Sequence, residues 1–77
     1  MDSRALAYYR VGRLDDALAD LNAALRNEPE QAESRYLRGL ILAERGADDA
    51  RKDIEQAKRL SPRVAHTYAR YGVLGPK

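Results

Sequence analysis

The sequence predicts an all-α chain of about five helices, built from antiparallel helix–turn–helix repeats. Three observations predict it: a constant internal spacing, glycine and proline at matching places in each copy, and a helix-forming composition between them. Pro29 recurs as Pro62, Ala17 as Ala50, Asp20 as Asp53, Leu21 as Ile54 and Ala24 as Ala57, always 33 residues on. RALAYYRVG (Arg4 to Gly12) aligns with RGLILAERG (Arg38 to Gly46) at a spacing of 34, so the second turn has lost one residue, GRLDDA becoming GADDA. A third start is marked by Gly39 recurring as Gly72.

Composition sets the scale. The 77 residues contain no Phe, Trp or Cys, so any bulk in the core must come from Leu, Ile, Val and Tyr, with Ala letting helices approach. A chain of this length allows one domain with a thin core. The absence of cysteine excludes a disulfide framework and thiolate metal sites, and fits a reducing compartment. Residues 1 to 12 do not resemble a signal peptide and no apolar run could span a bilayer, so the expected location is the cytoplasm, without membrane contact.

The helices follow from their punctuation. The first is expected from Ser3, read as an N-cap, to Val11, with Gly12 ending it. The second spans Leu14 to Asn27, Asp15 and Asp16 lying in its first turn where the helix dipole favours negative charge, and Pro29 closes it. The third is expected over Gln31 to Arg45, stopping at Gly46. The fourth runs from Asp48 to Leu60 with the same acidic pair at its start, and the fifth from Arg63 to about Gly72. The domain thus divides into a shortened first repeat (about 1–30), a complete one (31–63), and a closing helix with its tail (64–77).

The third helix carries Tyr36, Leu40 and Ala43 on one face, Leu37 and Ile41 beside them, and Gly39 with Leu42 nearly opposite. Such wide apolar coverage predicts a helix packed between neighbours. The fourth has only the narrow stripe Ala50, Ile54, Ala57 and Leu60, which predicts an outer helix. Arg4 with Asp20, and Arg38 with Asp53, occupy matching slots of the two hairpins, so an Arg-to-Asp contact is expected across each.

Small residue, aromatic or Leu, turn Gly, then Ala, an apolar residue, Ala and Pro: this order resembles the tetratricopeptide repeat family. It reads here as Ala5, Tyr8, Gly12, Ala17, Leu21, Ala24 and Pro29, and again as Gly39, Leu42, Gly46, Ala50, Ile54, Ala57 and Pro62. An ankyrin reading fits the period, but the T-P-L-H turn is missing and the second helix is too long. The slot near the start of the first helix that often holds an aromatic in the family holds Arg35 in the complete unit and Tyr68 in the last copy. The resemblance implies a short right-handed α-solenoid whose first helices line a concave groove for an extended peptide or a partner helix. Carried over, that groove would hold Leu6, Tyr9, Arg10, Tyr36, Leu40, Ala43 and Glu44, with Ala69 and Val73. The Lys and Asn with which some members clamp a terminal carboxylate are absent from the matching slots, so an apolar segment is the expected ligand.

Catalytic readings fail on inventory. One His, no Cys, three Ser and one Thr supply neither a triad nor a metal site, and no cofactor is expected. The pairs Asp15–Asp16 and Asp48–Asp49 sit at helix starts, where the dipole explains them. The glycines are scattered and make no phosphate loop. Residues 1–33 hold seven acids and four bases, net −3, and residues 34–77 ten bases and five acids, net +5. That asymmetry could favour head-to-tail contact with another copy or a neighbouring module, and self-association through apolar faces exposed on the incomplete end helices is the alternative to a protein-binding module. Nucleic-acid binding through Arg51, Lys52, Lys58, Arg59, Arg63 and Arg70 ranks lower, because Asp48, Asp49, Asp53 and Glu55 are interleaved and no aromatic stands among them to stack on bases.

Overall fold

Two glycine turns decide how the chain reverses. In the computed structural model, which describes residues 3–70, the helices are α1 (Ser3–Arg10), α2 (Leu14–Asn27), α3 (Ala32–Glu44), α4 (Ala50–Leu60) and α5 (Val64–Arg70), with no strand among the described residues. Gly12 and Gly46 take left-handed backbone angles, φ 83° and 74°. After α1 the Arg13 N–H donates to the Tyr8 carbonyl at 2.8 Å and the Gly12 N–H to that of Tyr9 at 3.2 Å. After α3 the Ala47 N–H donates to Leu42 at 2.9 Å and the Gly46 N–H to Ala43 at 3.0 Å. This paired closure satisfies the last helical carbonyls and requires one left-handed residue, which glycine supplies without a Cβ penalty.

The other boundaries have local causes. α2 keeps Asp15 and Asp16 in its first turn and ends where the Glu28 N–H donates to Ala24 at 2.8 Å, just before Pro29. Gln31 is extended ahead of α3, and the Ser34 hydroxyl donates to its side chain. Ser3 is the first residue of α1 rather than a cap before it, and Val11 belongs to the turn. Asp48 and Asp49 are not the first turn of α4 but the turn preceding it, so the two acidic pairs are not equivalent. Losing one residue from the second loop forces a tight entry: the Ala50 N–H reaches only three residues back, to Ala47, at 3.3 Å. α5 begins at Val64, and the expected extension to Gly72 lies outside the described residues.

Packing follows chain order, α1 on α2, α2 on α3 and α3 on α4, with α5 laid across α3 and α4. α3 is therefore the central helix, with seven buried residues that include Tyr36, Leu37, Leu40 and Ile41. Tyr36 is 1% exposed and stacks on Tyr68 of α5, ring centroids 5.4 Å apart, while the Tyr68 hydroxyl donates to the Glu33 carbonyl at 2.9 Å. A stack of this kind adds about 0.5–1.5 kcal/mol to what the buried area contributes. α4 buries Ala50, Ile54 and Ala57, but Leu60 is 41% exposed and does not continue the stripe; its fourth buried residue is Asp53.

Small side chains sit where the helices come closest. Ala5, Ala17 and Ala57 are almost wholly buried. A Cβ added to Gly39 would stand 2.6 Å from Ile54 Cγ1 and 3.1 Å from two α4 backbone atoms, the Ala50 oxygen and the Ile54 nitrogen. Replacing an interior helical glycine by alanine ordinarily stabilises a helix by about 1 kcal/mol, whereas overpacking a tight contact costs about 1–3 kcal/mol. Because backbone as well as side chain blocks the new methyl, Gly39→Ala should lower stability by about 1 kcal/mol in urea denaturation, with an unchanged slope. A midpoint that stays or rises would mean α3 and α4 do not approach so closely.

Candidate partner-binding surfaces

Each hairpin is clasped by an arginine and an aspartate. Arg4 Nε and Nη2 donate to the two carboxylate oxygens of Asp20, both at 2.7 Å, joining α1 to α2 on an exposed edge. The Asp20 carboxyl is held below its usual range first by this hydrogen bond, against the opposing effect of burial, and then by the Arg4 charge. In the second hairpin Arg38 Nε and Nη2 meet Asp53 at 2.6 and 2.8 Å, with the Asp53 side chain 8% exposed and that of Arg38 24%. The Arg38 guanidinium is raised above its ordinary value chiefly by the hydrogen bond to Asp53.

Around this second clasp the polar contacts spread to neighbouring elements. Arg38 Nη1 also donates to Asn22 of α2 at 3.0 Å, and Arg35 Nη1 lies 3.6 Å from Asp53 while its Nε donates to the Pro29 carbonyl at 2.7 Å. Arg45 at the end of α3 pairs with Asp15 at the start of α2. The two hairpins are thus joined by Arg38–Asn22 and Arg45–Asp15. Neither link was expected from the sequence, although Arg35 and Arg38, three apart on one helix, share a face.

The face formed by the first helices keeps only part of the expected groove. Leu6, Tyr36 and Leu40 are core residues rather than open surface: all three join the buried cluster, and α5 covers Tyr36 through the Tyr68 ring. Tyr9 is half-buried, and Arg10, Ala43, Glu44 and Ala69 are exposed; Val73 lies outside the described residues. The Tyr9 phenol is pushed above its ordinary value by burial first, then by the negative charge of Glu44 and by Tyr36. The Tyr36 phenol is raised by burial alone.

Two concavities lie elsewhere. One, of about 660 Å³, runs between α2, α3 and α4 and is lined by Leu18, Asn22, Arg35, Arg38, Leu42, Asp49, Lys52, Asp53 and Gln56. The other, of about 830 Å³, lies where the end of α3 meets α4; Ala43, Gly46, Ala47, Ala50 and Ile54 form its apolar part, and Asp48, Arg51, Glu55 and Lys58 its charged part. Among the described residues no group of three or more His, Cys, Asp or Glu could hold a metal ion, and no helix is long and apolar enough to cross a membrane.

The sequence model of the tetratricopeptide repeat family matches residues 3–65. The chain belongs to the tetratricopeptide repeat family. Repeats of this family are non-catalytic and mediate protein–protein interaction. No curated protein and no solved structure matched the sequence. Within the tetratricopeptide pattern, the repeat positions Ala5, Ala17, Leu21, Gly39, Ala50, Ile54 and Ala57 are buried, Tyr8, Ala24 and Leu42 are half-buried, and the turn residues Gly12, Pro29, Gly46 and Pro62 are exposed.

The clasps make two predictions. Arg38→Met and Asp53→Leu should each destabilise by about 2–4 kcal/mol, since each strands a poorly solvated charge, and together by at least about 1 kcal/mol less than their sum. Additive effects in the double-mutant cycle would show that the contact carries no coupling. Asp20 has a depressed folded pKa, so its contribution is present above the ordinary aspartate range near pH 4 and is lost as pH falls through the lower folded value. Asp20→Asn should therefore flatten the acid limb of the stability profile, measured by circular dichroism between about pH 2 and 5. An acid limb as steep as that of the parent would remove the clasp from that limb.

Proposed function

We propose that this tetratricopeptide chain is a non-enzymatic module that presents the inner face of α1, α3 and α5 to an apolar peptide segment or partner helix. The proposed division is a shortened repeat over about 1–30, a complete one over 31–63 and a closing helix from 64, and the proposed setting is the cytoplasm. One observation supports the reading: Tyr9 of α1 is only half-buried, and Ala43 and Glu44 on the next first helix stay exposed. A tyrosine in that position offers a broad ring at low entropic cost. With Leu6, Tyr36 and Leu40 withdrawn into the core, the reachable floor is Tyr9, Ala43 and Ala69, bordered by Arg10 and Glu44. The Glu44 carboxylate favours a partner whose apolar side chain is followed by a base.

Such a ligand separates binding from stability. Tyr36→Ala would empty the core and cost about 3–5 kcal/mol, so the informative substitutions are Tyr9→Ala and Glu44→Gln. Isotope-labelled protein titrated with amphipathic peptides that differ only in their flanking charge should show amide shifts gathered on Tyr9, Ala43, Glu44 and Ala69. Tyr9→Ala should weaken the best peptide by about tenfold, and Glu44→Gln should erase the preference for a basic flank. Shifts confined to other faces, or a panel that never saturates, would remove the inner face from the function.

A further inference from the structure

The concavity beside α4 carries a charge pattern that the packing of this chain does not use. Arg51, Glu55 and Lys58 share one side of α4, and Asp48 stands in the turn just before it; all four line the same concavity at spacings of three, four and three, and they alternate in sign. All four are exposed, and none forms an ion pair with another described residue. The other arginines and aspartates of the two hairpin interfaces are committed, as Arg38 is to Asp53 and Asn22.

Comparison with the first hairpin excludes one use of this surface. The residues 33 positions earlier are Asp15, Leu18, Asn22 and Leu25, which lie on the helix that α3 packs against. There Asp15 and Asn22 receive Arg45 and Arg38, while Leu18 is half-buried and Leu25 buried. In the second hairpin Arg51 and Lys58 replace those two leucines. α5, the start of a third copy, already packs against α3 and α4, and a further hairpin stacked on α4 as the second stacks on the first would have to take both cations out of water, which is costly unless each finds a partner. Head-to-tail growth of the array by copies of this chain is therefore disfavoured at this end.

A different symmetry suits the pattern. When α4 of a second copy lies antiparallel across the first about a two-fold axis, Asp48 faces Lys58 of the second copy and Arg51 faces Glu55 of the second copy, and the axis repeats both pairs. A parallel two-fold arrangement would set every charge opposite its own kind. Self-complementarity of one patch is what a closed two-fold dimer requires.

We propose that the α4 face is an isologous interface through which two copies of this chain form an antiparallel dimer. The apolar area on offer is small, so charge complementarity sets register and partner choice, and the dimer is weak and sensitive to salt. This surface is separate from the inner face proposed for partner binding, the two meeting only at Ala43.

The test uses sedimentation equilibrium on the whole chain. The parent should pass from monomer to dimer with concentration, with weaker association in 1 M salt, about the ionic strength at which screening becomes complete. Arg51→Glu and Glu55→Arg, both at exposed positions, should each weaken self-association by at least about tenfold, because each places two like-charged pairs across the interface. An equimolar mixture of the two variants should dimerise again, since the Glu at 51 of one then faces the Arg at 55 of the other, and the unchanged Glu55 of the first faces the unchanged Arg51 of the second. A parent that remains monomeric, a mass that grows beyond the dimer, single variants that associate like the parent, or a mixture that stays monomeric would each overturn the proposal.

Discussion

The close approach of α3 and α4 at Gly39 is the constraint on which the other contacts depend. With no side chain there, the α4 backbone at Ala50 and Ile54 comes within contact distance of α3, nearer than any other residue would allow. That approach brings Asp53 within reach of both Arg38 nitrogens, and so fixes the register of the hairpin by a two-point contact rather than by apolar packing alone. In the first hairpin Ala5 stands in the place of Gly39, against Ala17, and the clasp forms at the same register but on an exposed edge. Small residue and charged pair work together, one setting separation and the other sliding position.

Centrality of α3 explains the division of its residues. Its apolar coverage exceeds what one neighbour needs, and α2, α4 and α5 each take a share. The Tyr36 side toward α5 is closed by the Tyr68 ring, whose hydroxyl is satisfied by the Glu33 carbonyl, so a polar group enters the core without being stranded. This closure converts the apolar centre of the expected groove into core. What remains open on that side is set by the helix ends, where Tyr9, Ala43 and Glu44 sit.

Much of this was legible in the sequence because repetition exposes roles that a single copy hides. A glycine recurring at Gly12 and Gly46 could be read as a left-handed helix stop, and both turns close through the same pair of backbone hydrogen bonds. The two Arg–Asp slots could be read because both members recur. Burial was less legible where it depends on a helix further along the chain: nothing in the wheel of α3 alone shows that Tyr68 of α5 covers Tyr36. The start of α4 was misplaced because a one-residue deletion changes the geometry of helix entry while leaving Asp48 and Asp49 aligned with Asp15 and Asp16. Leu60 continued the periodicity of α4, but only three of that stripe are covered.

The same comparison of copies separates positions that a stacked neighbour covers readily from positions that it does not. An internal hairpin must offer apolar side chains at the positions of Leu18 and Leu25, because the next hairpin removes them from water. Arg51 and Lys58 at those positions can be buried by a neighbour of the same kind only if each finds a partner for its charge. A face made only of one sign would repel a second copy at every approach, and a neutral one would select none. Alternating signs with a centre of symmetry select one arrangement among the many in which two helices can meet, and the selection works through repulsion in the others as much as through attraction in the one. On this proposal, the exchange of two leucines for two cations shifts the symmetry favoured for contact between copies from open and head-to-tail to closed and two-fold.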